Sequence, residues 1–355
     1  MIVLGCTGSI GVNTLEIAKK FNIAIDVMVA GQNIELLNIQ LKTFNPRVVV
    51  IADSSKTHLV NHTNVKAGQT AIIDAIKSSP SNLVVNALVG FAGLLPTITA
   101  LQCNKKLALA NKESLVVAGK FLDSSSIIPI DSEHFGLWYI MDKSKKIDSI
   151  TITASGGSFR DYPLEKLSSV TVKEALNHPN WSMGSKITID SATMTNKLFE
   201  LIEAKWLFNT TKCDAIIETK SIIHALVNFT DGSTTAHFAH ANMQLPIAYA
   251  ILDKVESNIL PKVDLVQIGS LEFKAIEHSR YPIWELKDEL LQNDNLGVVL
   301  NAANEVAVAK FLSNQIPFLD ISKSVMKAVE YFHGCSLNSI DDLFQINKEV
   351  REWME

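Results

Sequence analysis

The chain has 355 residues, 47% hydrophobic and 19% charged, with a formal net charge of −5. That length exceeds one ordinary core, so two or three domains are expected, and the composition is globular rather than disordered. Lys and Arg are scattered, and the densest basic run, KSKK at 143–146, reads as a solvated loop, so no nucleic-acid partner is expected.

The chain opens on the apolar run MIVLG, and GCTGSIG then places Gly5, Gly8 and Gly11 ahead of a helical pattern over 12–21. Glycines between a buried strand and a helix let the backbone approach a pyrophosphate, and the helix N-terminus adds N–H groups and a positive dipole end. The spacing is G-x-x-G-x-x-G rather than G-x-G-x-x-G, so its context carries the motif; a tight turn that binds nothing is the plain alternative. IDVMVAG, VVVIA, LVVNALV, KLALAN and SIIPID read as further strands, and 34–43, 56–61, 70–77, 93–102 and 112–121 as helices. This alternation predicts an α/β fold with an N-terminal doubly wound, Rossmann-like parallel sheet whose ligands sit at the carboxyl ends of the strands.

The second strand ends in Gly31-Gln32-Asn33, without the acid that would hold the ribose 2′-hydroxyl of NAD, so NADP is favoured by that absence. The uncharged stretch 78–104 is broken by Asn86, Gly90, Gly93 and Pro96; it reads as a buried strand, a turn and a covered helix, with no membrane span. Cys6, Cys103, Cys213 and Cys335 form no C-x-x-C or Cys/His cluster, which fits free thiols in a reducing cytoplasm.

LANKESL closes an apolar run with Asn111, Lys112 and Glu113; Lys112 is either a surface lysine or one that reaches a substrate oxygen. IIPIDSEHFG places Asp131 and Glu133 at a strand tip, where residues two apart share a side. Two carboxylates on one side suit a hard divalent cation, or are simply solvated acids. From about 147 the pattern changes. KIDSITITASGG, KITIDSAT, DAIIETKSIIHALVNFT and STTAHFA read as strands of a central α+β domain, with Ser155-Gly156-Gly157 a second candidate phosphate cradle. HPNWSMGSK puts Trp181 and Met183 in a polar loop, as a lid or as a loop anchored by its Trp. NKLFELIEAKWLF is an amphipathic helix in which Asn196 and Glu200 share a face. Ser191, Asn196 and Lys197 could hold a phosphate near its start, with capping by Ser191 or Thr195 as the alternative. A less regular stretch to about 280 leads into a C-terminal helical bundle.

GCTGSIG, LANKESL, PIDSEHFG, ASGGSFRD, HPNWSMGSKITIDSATMTNK, FELIEA and LNAANEVAV occur in this order over essentially the whole chain. Together they closely resemble the 1-deoxy-D-xylulose 5-phosphate reductoisomerases. The resemblance implies an NADPH-binding domain over 1–131, a connective catalytic and dimerisation domain over 132–254, a linker over 255–280 and a helical domain over 281–355. It also implies a cytoplasmic homodimer acting on a small sugar phosphate, with NADPH and Mg²⁺ or Mn²⁺ as cofactors. The ketose phosphate would be rearranged and reduced to 2-C-methyl-D-erythritol 4-phosphate. By matched position, Asp131, Glu133 and Glu200 would ligate the metal, and Lys112, Ser132, Glu133 and Glu200 would contact substrate. Ser155, His178, Ser191, Asn196 and Lys197 would hold it as well, the serines, Asn196 and Lys197 at its phosphate. His178, Trp181, Met183 and His224 would support catalysis, the first three on a flap. Thr7, Gly8, Ser9, Ile10, Gly31, Gln32, Asn33, Asn111, Glu113 and Gly184 would contact NADPH. The chain departs from the family in having Gln32 where a Lys or Arg is often found, and Cys6 where Ser is usual. Two rivals are a thioester-forming dehydrogenase, for which no cysteine is suitably placed, and a non-catalytic dinucleotide sensor, which would need none of the carboxylates.

Overall fold

The computed structural model describes residues 1–142 and 144–355; Lys143, the first residue of the KSKK run, lies outside the described residues. Two compact units are present. The first comprises Met1–Ser114, Asp123–Asp131 and Asn242–Leu260. Its strands are β1 (Ile2–Leu4), β2 (Val27–Ala30), β3 (Val48–Ile51), β4 (Val65–Ala67), β5 (Leu83–Asn86), β6 (Lys106–Leu109) and β7 (Ile127–Pro129). They form one sheet in the order β4-β3-β2-β1-β5-β6-β7, every neighbouring pair parallel. The chain therefore begins at the centre and winds outward twice, reversing between β1 and β5, where doubly wound sheets open a ligand crevice. All residues of β1, β2 and β3 are buried, as expected of parallel strands covered on both faces.

Local departures have identifiable causes. β4 was not expected, because an edge strand with an exposed Lys66 carries little hydrophobic pattern. The segment expected to be a helix at 56–61 is a 3₁₀ turn, Ser54–Leu59, opened by the Asp53 carboxylate accepting from the Ser55 N–H. The first helix starts at Ser9, inside the glycine motif. The helix Gln244–Ile251 lies in a stretch expected to belong with the connective segment, yet it packs in the first unit. Its Ile247, Ala248, Ala250 and Ile251 join that unit's core, and Gln244 donates to Glu16 (2.9 Å).

The second unit comprises Leu115–Leu122, Ser132–Ala241 and Pro261–Glu355. Its sheet contains β8 (Ile147–Ala154), β9 (Cys213–Glu218), β10 (Ile223–Phe229), β11 (Thr234–Phe238) and β12 (Phe273–Lys274), in the order β11-β10-β8-β9-β12. Only β8 and β9 run parallel. Helices Leu296–Leu312, Phe318–Tyr331 and Ile340–Met354 form the expected bundle, the first of them buried almost all round. Gly297 makes that possible, since a Cβ there would lie 2.0 Å from the Val116 carbonyl oxygen. KITIDSAT, expected as a strand, is the helix Ser185–Thr193. Its β-branched residues give a strand-like pattern, but strand preference is worth no more than ~1 kcal/mol and tertiary contacts exceed it. Asp190, almost fully buried, accepts from Lys186 one turn earlier and from Asn304 of the bundle, both at 2.7 Å.

Candidate active site

The glycine motif closes at the carboxyl ends of β1 and β5. Gly5 has φ +84°, and a Cβ there would stand 2.5 Å from the Ala87 carbonyl oxygen. A Cβ on Gly11 would stand 2.2 Å from the Gly5 carbonyl oxygen. No side chain caps the helix Ser9–Lys20 that follows; its N-cap is Gly8. The cradle thus combines a close backbone approach with a helix N-terminus over Thr7, Gly8, Ser9 and Ile10, which fits a pyrophosphate. Gly31, Gln32 and Asn33 are exposed past the end of β2, where Asn33 Oδ1 caps the next helix by accepting from Leu36 N–H (3.0 Å). Asn111 is buried and serves the turn after β5. Its Nδ2 donates to the carbonyls of Leu88 (2.8 Å) and Gly90 (2.9 Å) and to Glu113 (3.0 Å). Gly184 belongs to the second unit, as N-cap of Ser185–Thr193.

Within the first unit, Lys112 Nζ pairs with Asp131 Oδ2 at 2.9 Å, both side chains mostly buried. The strand before them ends at Pro129, and Ser132–Ile140 is a helix. Glu133 therefore stands in a helical first turn, and the strand alternation expected to align it with Asp131 does not apply. In the second unit, Glu133 and Glu200 bring carboxylate oxygens within 4.8 Å of one another. Lys197 Nζ bridges them: it donates to Glu133 Oε1 (2.8 Å), to Glu200 Oε2 and to the Thr153 carbonyl (2.6 Å). Burial alone would lower the pKa of this ammonium, but the two carboxylates outweigh it and the net shift is upward. Ser132 Oγ donates to Glu133 (2.5 Å), and Asn196 Nδ2 donates to Glu200. Two converging carboxylates held by one ammonium and by O–H and N–H donors are an oxygen donor set that suits Mg²⁺ or Mn²⁺. His134 was not singled out by the sequence; its Nε2 donates to the Glu200 backbone carbonyl (2.8 Å), tying the two carboxylate-bearing helices together.

A second centre gathers around His178. Its Nε2 lies 2.8 Å from Ser155 Oγ and 3.3 Å from Ser191 Oγ. Its Nδ1 accepts from the N–H groups of Asn180 (3.1 Å) and Trp181 (3.0 Å). Burial, and then the positive charge of Arg160, push the imidazole pKa down to about 4. Arg160, also not singled out although it lies inside ASGGSFRD, donates to the carbonyls of Ser155 (2.9 Å) and Thr219 (2.6 Å). Lys197, expected to share a phosphate site with Ser155 and Ser191, has its ammonium on the carboxylates of Glu133 and Glu200. Residues 178–184 form neither helix nor strand. Trp181 packs edge-on against buried His224, ring centroids 6.2 Å apart, and His224 Nε2 donates to the Ala239 carbonyl (3.1 Å). Met183 is half-buried in the same loop.

Three family models match the chain. 1-Deoxy-D-xylulose 5-phosphate reductoisomerase matches over residues 1–119, and two models of the C-terminal domain of that enzyme match over 127–208 and 238–353. A 1-deoxy-D-xylulose 5-phosphate reductoisomerase of Nautilia profundicola is 57% identical over 100% of this chain and 99% of its own length. The same enzyme of Campylobacter lari is 54% identical over the same shares. Among solved structures, a DOX-P reductoisomerase in complex with NADPH, fosmidomycin and magnesium is 32% identical, with TM-score 0.93 over 99% of this chain and 96% of that one. The Zymomonas mobilis reductoisomerase with NADPH is 33% identical, with TM-score 0.89 over 99% and 97%.

Proposed function

The chain belongs to the 1-deoxy-D-xylulose 5-phosphate reductoisomerase family, and from that premise we propose how its residues divide the work. The enzyme isomerises 1-deoxy-D-xylulose 5-phosphate and reduces the product to 2-C-methyl-D-erythritol 4-phosphate, an early step of non-mevalonate isoprenoid biosynthesis. NADPH, held at the Gly5–Gly11 cradle by Thr7 to Ile10 with Gly31 to Asn33 beside the adenosine end, supplies the hydride. Asp131, Glu133 and Glu200 would hold Mg²⁺ or Mn²⁺, which would supply Lewis-acid polarisation of the substrate carbonyl.

The observation that carries this reading is the join between two helices. Ser191 lies on Ser185–Thr193 and Glu200 on Thr195–Phe208, and the single residue between them, Met194, is left-handed at φ +75°. Ser191 at the proposed phosphate end and Glu200 at the proposed metal end thereby lie on consecutive helices joined by one residue. A substrate gripped at both ends loses rotational freedom before any bond changes, which is a large part of such a barrier. Ser155 and Ser191 offer hydroxyls to the phosphate, and His178 orients them as a neutral donor. Lys197 balances the charge of Glu133 and Glu200, and Lys112 donates to substrate hydroxyl oxygens as negative charge develops. Glu133 accepts or returns a proton. Trp181 and Met183 cover the bound substrate and exclude water.

The aromatic face of Trp138 and Tyr139, beside the edge strand β11 with Phe238, supports a homodimer; all three side chains are exposed. Light scattering reads the mass directly. Four free cysteines support a cytoplasmic setting. Among the described residues no helix is long and apolar enough to cross a membrane. The activity is tested by loss of NADPH absorbance on adding 1-deoxy-D-xylulose 5-phosphate with Mn²⁺, with and without EDTA. Oxidation abolished by EDTA supports the reading; no oxidation by a folded protein that still binds NADPH refutes it.

A further inference from the structure

A backbone N–H can only donate, so an imidazole nitrogen that receives two of them must carry its lone pair. His178 Nδ1 receives those of Asn180 and Trp181, at 3.1 and 3.0 Å. The proton of the neutral ring then sits on Nε2 and points at Ser155 Oγ (2.8 Å) and Ser191 Oγ (3.3 Å). Ser155 Oγ also accepts from the Gly157 N–H (3.2 Å). With both lone pairs taken, its own proton is left to donate outward. The tautomer of one histidine thus decides whether Ser155 meets a ligand as a donor.

Residues 178–181 have no regular hydrogen-bond ladder to hold their N–H groups in that arrangement. One side chain in the loop makes up for it. Asn180 Nδ2 donates to the Thr219 carbonyl (2.8 Å) and to Ser221 Oγ (2.7 Å). The turn that offers these acceptors is itself stiff. It follows β9, and fully buried Glu218 accepts from the N–H groups of Lys220 (2.8 Å), Ile222 (2.7 Å) and Ile223 (3.2 Å). Ser221 is held at φ +54°, and Arg160 donates to the Thr219 carbonyl from its other side. The route runs from a buried carboxylate through a pinned turn and one amide to the backbone of the loop, and from there to the ring.

We propose that Asn180 is a positioning residue that sets the tautomer and aim of His178, and through it the donor character of Ser155. This rests on reading Ser155, His178 and Ser191 as the phosphate subsite. Without the Asn180 amide the two N–H groups are free to leave Nδ1, and the proton redistributes between the ring nitrogens. The form with its lone pair on Nε2 accepts a hydrogen bond from the Ser155 hydroxyl, and the phosphate loses a donor.

The test uses full-length protein labelled with ¹⁵N-histidine, without ligand, the His178 signals being assigned by their loss in His178→Gln. Wild type is expected to give the single Nε2–H tautomer. Asn180→Ala is expected to give a mixture, and KM for the substrate to rise about tenfold while kcat changes by less than about threefold. A loop anchor with no hold on the ring would leave the tautomer alone. Ser221→Ala removes one of the two acceptors without touching the loop; it is expected to shift both readings in the same direction by less, and it serves if Asn180→Ala does not fold. Unchanged His178 signals with unchanged KM in both variants overturn the proposal. Inorganic phosphate titrated into wild type separates this from the subsite reading. Signals that phosphate leaves unmoved, with Asn180→Ala still mixing the tautomers, sink the subsite and uphold the positioning role.

Discussion

Lys197→Met removes the ammonium that bridges Glu133 and Glu200 and keeps most of the side-chain volume. The two carboxylates, with oxygens within 4.8 Å, are then left facing one another in a nearly closed environment. Two unit charges at that separation repel by about 3.5 kcal/mol at an effective dielectric of about 20. Independently, removing one partner of a buried ion pair costs about 3–5 kcal/mol. The two figures agree, and at about 2 °C per kcal/mol for a chain of this size they correspond to a fall in Tm of about 6–10 °C. The assay is thermal unfolding in EDTA and again in excess Mg²⁺. Mg²⁺ is expected to recover most of the loss in the variant and to raise wild type by less, because a cation bound at the carboxylates takes over the missing charge. A Tm within about 1 °C of wild type in EDTA would refute the reasoning. The pH dependence has a defined sign. The Lys197 pKa is raised above its ordinary 10.5, so its contribution is fully present below that value and is lost only as pH climbs through the folded-state pKa. The difference between wild type and variant should therefore be flat from neutral pH to about 10.

Gly11→Ala forces a methyl group to 2.2 Å from the Gly5 carbonyl oxygen, so NADPH affinity, read by nucleotide fluorescence, is expected to fall more than about tenfold. Glu200→Gln is expected to abolish metal-dependent turnover and to reduce the stabilisation by Mg²⁺ seen in thermal unfolding. His178 has its pKa lowered to about 4 from 6.5, so the neutral ring contributes stability fully above 6.5, and that contribution is lost as pH falls toward 4. His178→Gln should flatten the dependence of Tm on pH across that window, and the wild-type ring should titrate by NMR near pH 4. Asp190→Ala removes the buried carboxylate that accepts from Lys186 and from Asn304, and is expected to cost about 3–5 kcal/mol in denaturant unfolding.

Much of this molecule is legible in order along the chain. The parallel sheet follows from apolar runs alternating with helical patterns, because strands covered on both faces must be apolar throughout. The glycine cradle is legible because only residues lacking a Cβ fit where backbone meets backbone, as at Gly5 and Gly11. The motifs around Asp131, Glu133 and Glu200 make the carboxylates legible as residue types, but not the helical setting of Glu133. Glu133 is helical because the strand ends at Pro129, a boundary that periodicity over so short a stretch does not resolve.

What the amino-acid order determines by itself is local: which segments are apolar on two faces, where glycine is indispensable, and which side chains carry charge or a metal-binding oxygen. What only the tertiary structure decides is which of those groups meet. KITIDSAT is a helix tied to the bundle by Asn304, more than a hundred residues later, which donates to Asp190. Gln244–Ile251 crosses back to the first unit because its apolar residues complete that core. Lys197 meets the carboxylates of Glu133 and Glu200, and burial with Arg160 lowers the pKa of His178 beside a loop whose Asn180 is anchored at Thr219 and Ser221. Charge and burial act through distance in space, and the linear pattern holds no record of distances between residues far apart in the chain.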